Sequence, residues 1–108
     1  MTKQEILKTH FGYDTFREGQ EAVIDALLAE KDVLAVMPTG AGKSICYQVP
    51  ALMMKGITLV ISPLISLMKD QVRSLNQAGI SAAYLNSSLT QGQYFTALRY
   101  AKAGRYPI

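Results

Sequence analysis

"DVLAVMPTGAGKS", residues 32–44, is the stretch that decides the fold: a short apolar run passes through a glycine-rich loop into a Lys-Ser pair that opens a helix. A run that is apolar on both faces is the pattern of a strand buried between two layers, and a helix directly after it implies a crossover to a parallel neighbour. Two more runs, "GITLVIS" (56–62) and "ISAAYLN" (80–86), repeat the pattern, with segments between them long enough for helices. The order reads β-α-β-α-β. The expected fold class is therefore α/β, a parallel sheet with flanking helices and right-handed connections.

The loop nearly satisfies the phosphate-binding pattern G-x-x-x-x-G-K-[ST], but alignment on Gly42, Lys43 and Ser44 puts Met37 where the first glycine belongs. The chemistry rests on the later positions. Pro38 stiffens the exit from the strand, and Thr39, Gly40, Ala41, Gly42 and Lys43 turn successive N–H groups inward as an anion-binding nest. The two glycines permit the unusual dihedrals this requires. Lys43 is then placed to reach the β- and γ-phosphates of a nucleotide, Ser44 to offer its hydroxyl to Mg²⁺, and the new helix to aim its N-terminal dipole at the phosphates. A plain glycine-rich turn explains the glycines but not a Lys-Ser pair set right after an apolar strand. The loop names no enzyme, because kinases, GTPases, transporters and motor ATPases share it.

Around this centre the punctuation is clear. Thr2 and Glu5 have capping-box spacing before a short helix ending about Thr9, and a second helix is expected from about Gly19 to Ala29. After the second strand, Ser62 is the expected N-cap, Pro63 occupies the first turn, and Gly79 stands just past the end. Leu64, Leu67, Met68, Val72 and Leu75 form that helix's apolar stripe, and Lys69, Asp70 and Arg73 its solvated face, with contact to DNA as the alternative there. Pro50, inside the helix after Lys43, is expected to kink or end it near Gln48.

The bulk numbers set limits. A chain of 108 residues, 49% hydrophobic and 18% charged, is one ordinary globular domain's worth. The longest apolar runs fall well short of the roughly 20 residues of a membrane span, and "MTKQEILKTH" lacks a signal peptide's apolar core. A single cysteine, Cys46, leaves no internal disulfide or clustered cysteine metal site, so a cytoplasmic protein is expected, nucleoid-associated if bacterial. A net charge of +3 is compatible with a polyanion but too small to name one. Cys46, His10 and the five methionines read as structural, since a catalytic thiol needs a base and the single histidine, near the N-terminus, is a poor candidate for one.

Three ordered motifs, "FGY..FR.GQ", "MPTGAGKS.CYQ.PAL" and "SPLISLMKDQV", span most of the chain, and together they resemble the N-terminal part of the RecQ family of ATP-dependent DNA helicases. The resemblance implies a partial RecA-like fold and assigns the first motif to the adenine of ATP. Tyr13 and Arg17 would pack on the ring and Gln20 would read its edge, donating and accepting at once as adenine requires. Without the neighbouring motifs, Gln20 would be simply a polar residue beside a helix start. "SPL", Ser62, Pro63 and Leu64, would touch the backbone of single-stranded DNA, at the carboxyl end of a strand where ligands bind in such sheets. Asn86 and Ser87, after the third strand, occupy the same kind of position, although "NSS" is also an ordinary loop.

RNA helicases of the DEAD-box group share the loop and a glutamine motif but differ at "SPLISLMKDQ", which favours single-stranded and partially duplex DNA as partners. Unwinding from 3′ to 5′ and a role in recombination and repair are implied by the family alone. The family's acidic D-E-x-H motif does not occur in these residues. Tyr106 to Ile108 read as the start of a fourth strand, so the chain is expected to be a piece of a first motor domain that works with a second RecA-like domain and, alone, neither hydrolyses ATP nor unwinds DNA. Two other classes stay open: a non-motor phosphate-loop enzyme such as a nucleotide kinase, and an inert ATP- or DNA-binding remnant.

Overall fold

The computed structural model describes residues 2–37, 42–62 and 64–108. Two compact units divide the chain, Met1–Lys55 and Gly56–Ile108.

In the first unit Thr2 accepts the Glu5 N–H at 3.2 Å and starts α1, Lys3–Ile6, which continues as one π-helical turn, Leu7–Phe11. Gly12, at φ 76°, ends it in the left-handed region that glycine enters without steric cost. Helix α2, Gln20–Leu28, begins after Gly19 as the sequence indicated, and α3 covers Lys43–Met53. Ile6, Ile24 and Val49, one from each of the three helices, form the buried centre, with Phe11, Phe16, Leu28, Ile45 and Leu52 packed around it. Lys3 ties α1 to α2 through Glu21, at 2.9 Å, and Asp25, and these two carboxylates raise its pKa.

Pro50 does not end α3. The helix runs on through it, and the Met54 N–H still reaches the Pro50 carbonyl at 2.9 Å. Only the one donor that proline lacks is lost, and Pro50 lies in a buried stretch with Val49 and Ala51 that holds the helix against its neighbours.

The second unit holds α4, Ile65–Gln77, and α5, Gln91–Lys102. Gly79, at φ 83°, closes α4 as expected: its N–H reaches the Asn76 carbonyl at 3.1 Å and the Ile80 N–H reaches Leu75 at 2.9 Å. This is a Schellman ending, and its two apolar members, Leu75 and Ile80, are both buried. Of the expected α4 stripe, Leu75 is buried, Met68 and Val72 are partly so, and Leu64 and Leu67 remain exposed. Thr90 and Gln93 start α5 with a reciprocal capping box, each side chain accepting the other's backbone N–H.

The expected sheet is not present as ladders: among the described residues the three apolar runs carry no regular secondary structure and no β-strand forms. A strand exists only through neighbours that satisfy its N–H and C=O groups in succession. In 32–37 that support is missing on the exposed side, where Leu34 is 92% and Val36 90% exposed. In the second unit isolated bonds stand in for ladders, from the Thr58 N–H to Pro107 at 2.8 Å and from the Ala83 N–H to Ile108 at 3.4 Å. The segment 106–108 thus lies beside both other runs, in the neighbourhood a fourth strand would occupy. No helix among the described residues is long and apolar enough to cross a membrane.

Candidate functional site

In the first unit the turn at Gly12 leaves Tyr13 half exposed, and the bend that follows brings Arg17 back over the start of α2. Gln20, 1% exposed, is the pivot. Its backbone N–H donates to the Arg17 carbonyl at 3.1 Å while its side-chain Oε1 accepts the Arg17 N–H at 2.8 Å. Its Nε2 donates across to the carbonyl of Gly42 at 3.0 Å, so one buried amide joins the first motif to the end of the phosphate loop. Burying an amide this deeply is tolerable only because both ends are bonded.

Gly42 cannot be another residue without rearrangement. It caps α3 at φ 75°, and a Cβ built there would stand 2.4 Å from the Gln20 Nε2. Lys43 and Ser44 follow as the first two residues of α3, Lys43 exposed and Ser44 partly so, at a helix start that no side chain caps. Such a start presents unsatisfied N–H groups and the positive end of an 11-residue helix. Pro38, Thr39, Gly40 and Ala41, the rest of the expected nest, lie outside the described residues.

These groups enclose one space. A cavity of about 280 Å³ is lined by Tyr13, Arg17, Gln20 and Gly42, joined by Leu7, Thr15 and Ile45. The structure thus brings together the three residues expected at a base and the glycine beside the expected phosphates. Leu7 and Ile45 were invisible to sequence reasoning because an apolar floor is made by residues far apart in the chain. Thr15 sits inside the motif "FGYDTFREGQ" and differs from its neighbours in nothing that the sequence shows.

Met37 finds a different use from the glycine it replaces. Its Sδ lies 3.8 Å from the Cys46 Sγ, and its Cε lies 3.5 Å from the point where a Cβ on Gly19 would stand, in ordinary van der Waals reach. It packs beside the helices of the unit, and burial pushes the Cys46 thiol above its ordinary pKa, as expected of a structural cysteine.

In the second unit the N-cap of α4 is Leu64, not Ser62, and no side chain caps the helix. The Ser62 hydroxyl instead sits 3.4 Å from both the backbone N and the carbonyl O of Leu64, a local side-chain contact rather than a helix cap. Leu64 is exposed, and Pro63 lies outside the described residues. Asn86 uses its Oδ1 to accept the Ser88 N–H at 2.9 Å, the turn-forming role of an ordinary loop asparagine. Its Nδ2 meets the Met68 Sδ at 3.9 Å, which sets the 86–88 turn, with exposed Ser87, against the first turns of α4. Ser62, Leu64 and Asn86 therefore gather at one end of α4. Among the described residues no group of three His, Cys, Asp or Glu gathers to hold a metal ion.

A half-exposed tyrosine, an arginine and a buried glutamine thus share one cavity with the glycine that precedes a Lys-Ser helix start. Comparison with known proteins shows the class: the chain belongs to the DEAD/DEAH box helicase family, which matches residues 17–104. It is similar to "ATP-dependent DNA helicase RecQ" of Bacillus subtilis (strain 168), 51% identical over 97% of this chain and 18% of the relative. The protein of the same description in Pasteurella multocida (strain Pm70) is 63% identical over 82% of this chain and 14% of its own length. "ATP-dependent DNA helicase Q1" of Rattus norvegicus is 54% identical over 79% of this chain and 14% of the relative. The chain spans less than a fifth of each of these proteins.

Proposed function

We propose that this chain is the ATP-binding front of the first RecA-like motor domain of an ATP-dependent DNA helicase that translocates 3′ to 5′ on single strands in recombination and repair. The observation that carries the reading is the Gln20 amide, buried in the wall of the cavity and bonded to Gly42 where the phosphate loop meets α3. In this reading Tyr13 and Arg17 hold the adenine ring, Gln20 reads its edge, and Pro38 to Ser44 hold the phosphates. Lys43 neutralises charge on the β- and γ-phosphates, and Ser44 offers the one hydroxyl this chain contributes to Mg²⁺.

The residues present fit an adenine nucleotide. The cavity's lining offers apolar side chains in Leu7 and Ile45, an aromatic ring in Tyr13, a cationic side chain in Arg17 and an amide in Gln20. Because Gln20 already bonds to Arg17 and Gly42, adenine would exchange with one of those partners, so base and phosphate loop are felt together. Ser62, Pro63, Leu64, Asn86 and Ser87 form the proposed contact with the DNA backbone. The apolar runs 32–37, 56–62 and 80–86 supply strands of a parallel sheet that the rest of the motor completes with its acidic motif and second domain.

The test is the ATPase of the full-length protein. Single-stranded DNA should stimulate it strongly, and Lys43→Ala should abolish it while leaving the fold intact by circular dichroism. An ATPase indifferent to single-stranded DNA would sink the motor reading, and one indifferent to Lys43 would sink the site.

A further inference from the structure

The charge of the chain is unevenly divided. Residues 56–108 carry five bases (Lys69, Arg73, Arg99, Lys102 and Arg105) against Asp70, whereas residues 1–55 carry seven acids against six bases. Within the basic half, Lys69 and Arg73 stand one helical turn apart on α4 and line an open groove of about 430 Å³ together with Val72, Asn76, Gln77 and Tyr84. Asp70, next along the helix, is not in that lining. The groove has fixed walls. Asn76 Oδ1 accepts the Ala82 N–H at 3.1 Å, binding α4 to the extended run that carries Tyr84, and Asn86 meets Met68 at the other end. It therefore runs along α4 from Gln77 towards the end where Ser62, Leu64 and Asn86 gather.

We propose that this groove holds single-stranded DNA as a second binding segment, with phosphates on Lys69 and Arg73 and a base stacked on Tyr84. Residues four apart on a helix are separated by about 6 Å along its axis, comparable with the step between successive phosphates of an extended strand. Cations tracking a backbone beside an aromatic platform are the parts of a sequence-tolerant single-strand site, and the Gln77 amide can donate or accept at any base edge. An acidic peptide would use the two cations but has no call for the ring. The proposal rests on the reading that the parent protein handles DNA, and extends the contact beyond Ser62 and Asn86.

Fluorescence anisotropy of a labelled oligothymidylate with this chain, without nucleotide and over a series of salt concentrations, tests it. Lys69→Gln with Arg73→Gln should weaken binding about tenfold and flatten the slope of log K against log salt by about 1.4, the share of two phosphates on a single strand. Arg99→Gln with Lys102→Gln removes the same charge from α5 and should change neither quantity. Tyr84→Leu should cost at least about fivefold and Tyr84→Phe nothing, because the ring stays. Circular dichroism establishes that each variant is folded. Unchanged binding after the Lys69 and Arg73 substitutions, or an equal loss from the α5 pair, overturns the proposal, as does displacement of the oligonucleotide by an equal concentration of oligoglutamate. If Ser62→Ala with Asn86→Ala loses affinity while the groove variant keeps it, the groove falls and the DNA reading stands; if the chain binds no oligonucleotide, both fall.

Discussion

Gln20 illustrates how a polar residue becomes indispensable once it is buried. Truncation to alanine would strand the Arg17 N–H and the Gly42 carbonyl, so Gln20→Ala should cost about 1–3 kcal/mol in urea unfolding of this chain. It should also erase the preference of the full-length protein for ATP over GTP, measured by competition for a fluorescent nucleotide. A preference unchanged in the variant would remove Gln20 from the base site. Cys46 makes a prediction in pH. Burial raises the folded thiol's pKa, so as pH climbs past the ordinary thiol value near 8.5 the unfolded chain ionises first and the folded state retains more protons. The thiol's contribution to stability is fully present below that pH and is lost above it. Unfolding midpoints should therefore fall, as pH rises above about 8.5, more steeply for the parent chain than for Cys46→Ala, and parallel curves would show that the thiol is not held protonated.

At the scale of the element, what the sequence disclosed depended on how local the cause was. Gly79 was legible as a helix end because one residue's left-handed φ decides it, and Gly79→Ala should lower stability by about 1 kcal/mol, seen as an earlier loss of helical signal in urea. Thr90→Ala should do the same for α5, by about 1 kcal/mol, because its hydroxyl is half of a capping box. A midpoint that either substitution leaves in place would mean that the helix end is held by packing instead. Ser62 was misplaced as a cap because the proline after it invites that reading, whereas Leu64, itself extended, is the residue from which the helix starts. Tyr13, Arg17 and Gln20 were singled out by the family resemblance of their motif, and they do line one cavity, but nothing local could reveal that the acceptor for Gln20 would be Gly42, 22 residues away. Pro50 was read by the local rule, and tertiary burial overrode it.

For the whole molecule, the apolar runs that promised a sheet are the features left most in need of neighbours. Leu34, Val36, Leu59 and Ile61 are 92%, 90%, 81% and 97% exposed, in alternate positions of two runs that form no strand. Surfaces of this kind associate. The chain on its own should bind a hydrophobic dye and self-associate in light scattering at micromolar concentration, and Leu34→Lys with Ile61→Lys should suppress both. A monodisperse, dye-silent chain would show that these runs find cover within it.

The close approach of Gln20 to Gly42 carries a consequence in terms of heredity. With Gln20 in place, any side chain at position 42 meets both a forbidden φ and an atom 2.4 Å away, but once residue 20 is shortened only the backbone cost remains. Mutational routes through these two positions are therefore ordered: a change at 20 opens the way to a change at 42, and the reverse order passes through a chain that suffers both costs together. The pair behaves as a single heritable unit, and its epistasis, read from a double-mutant cycle, should be strongly non-additive.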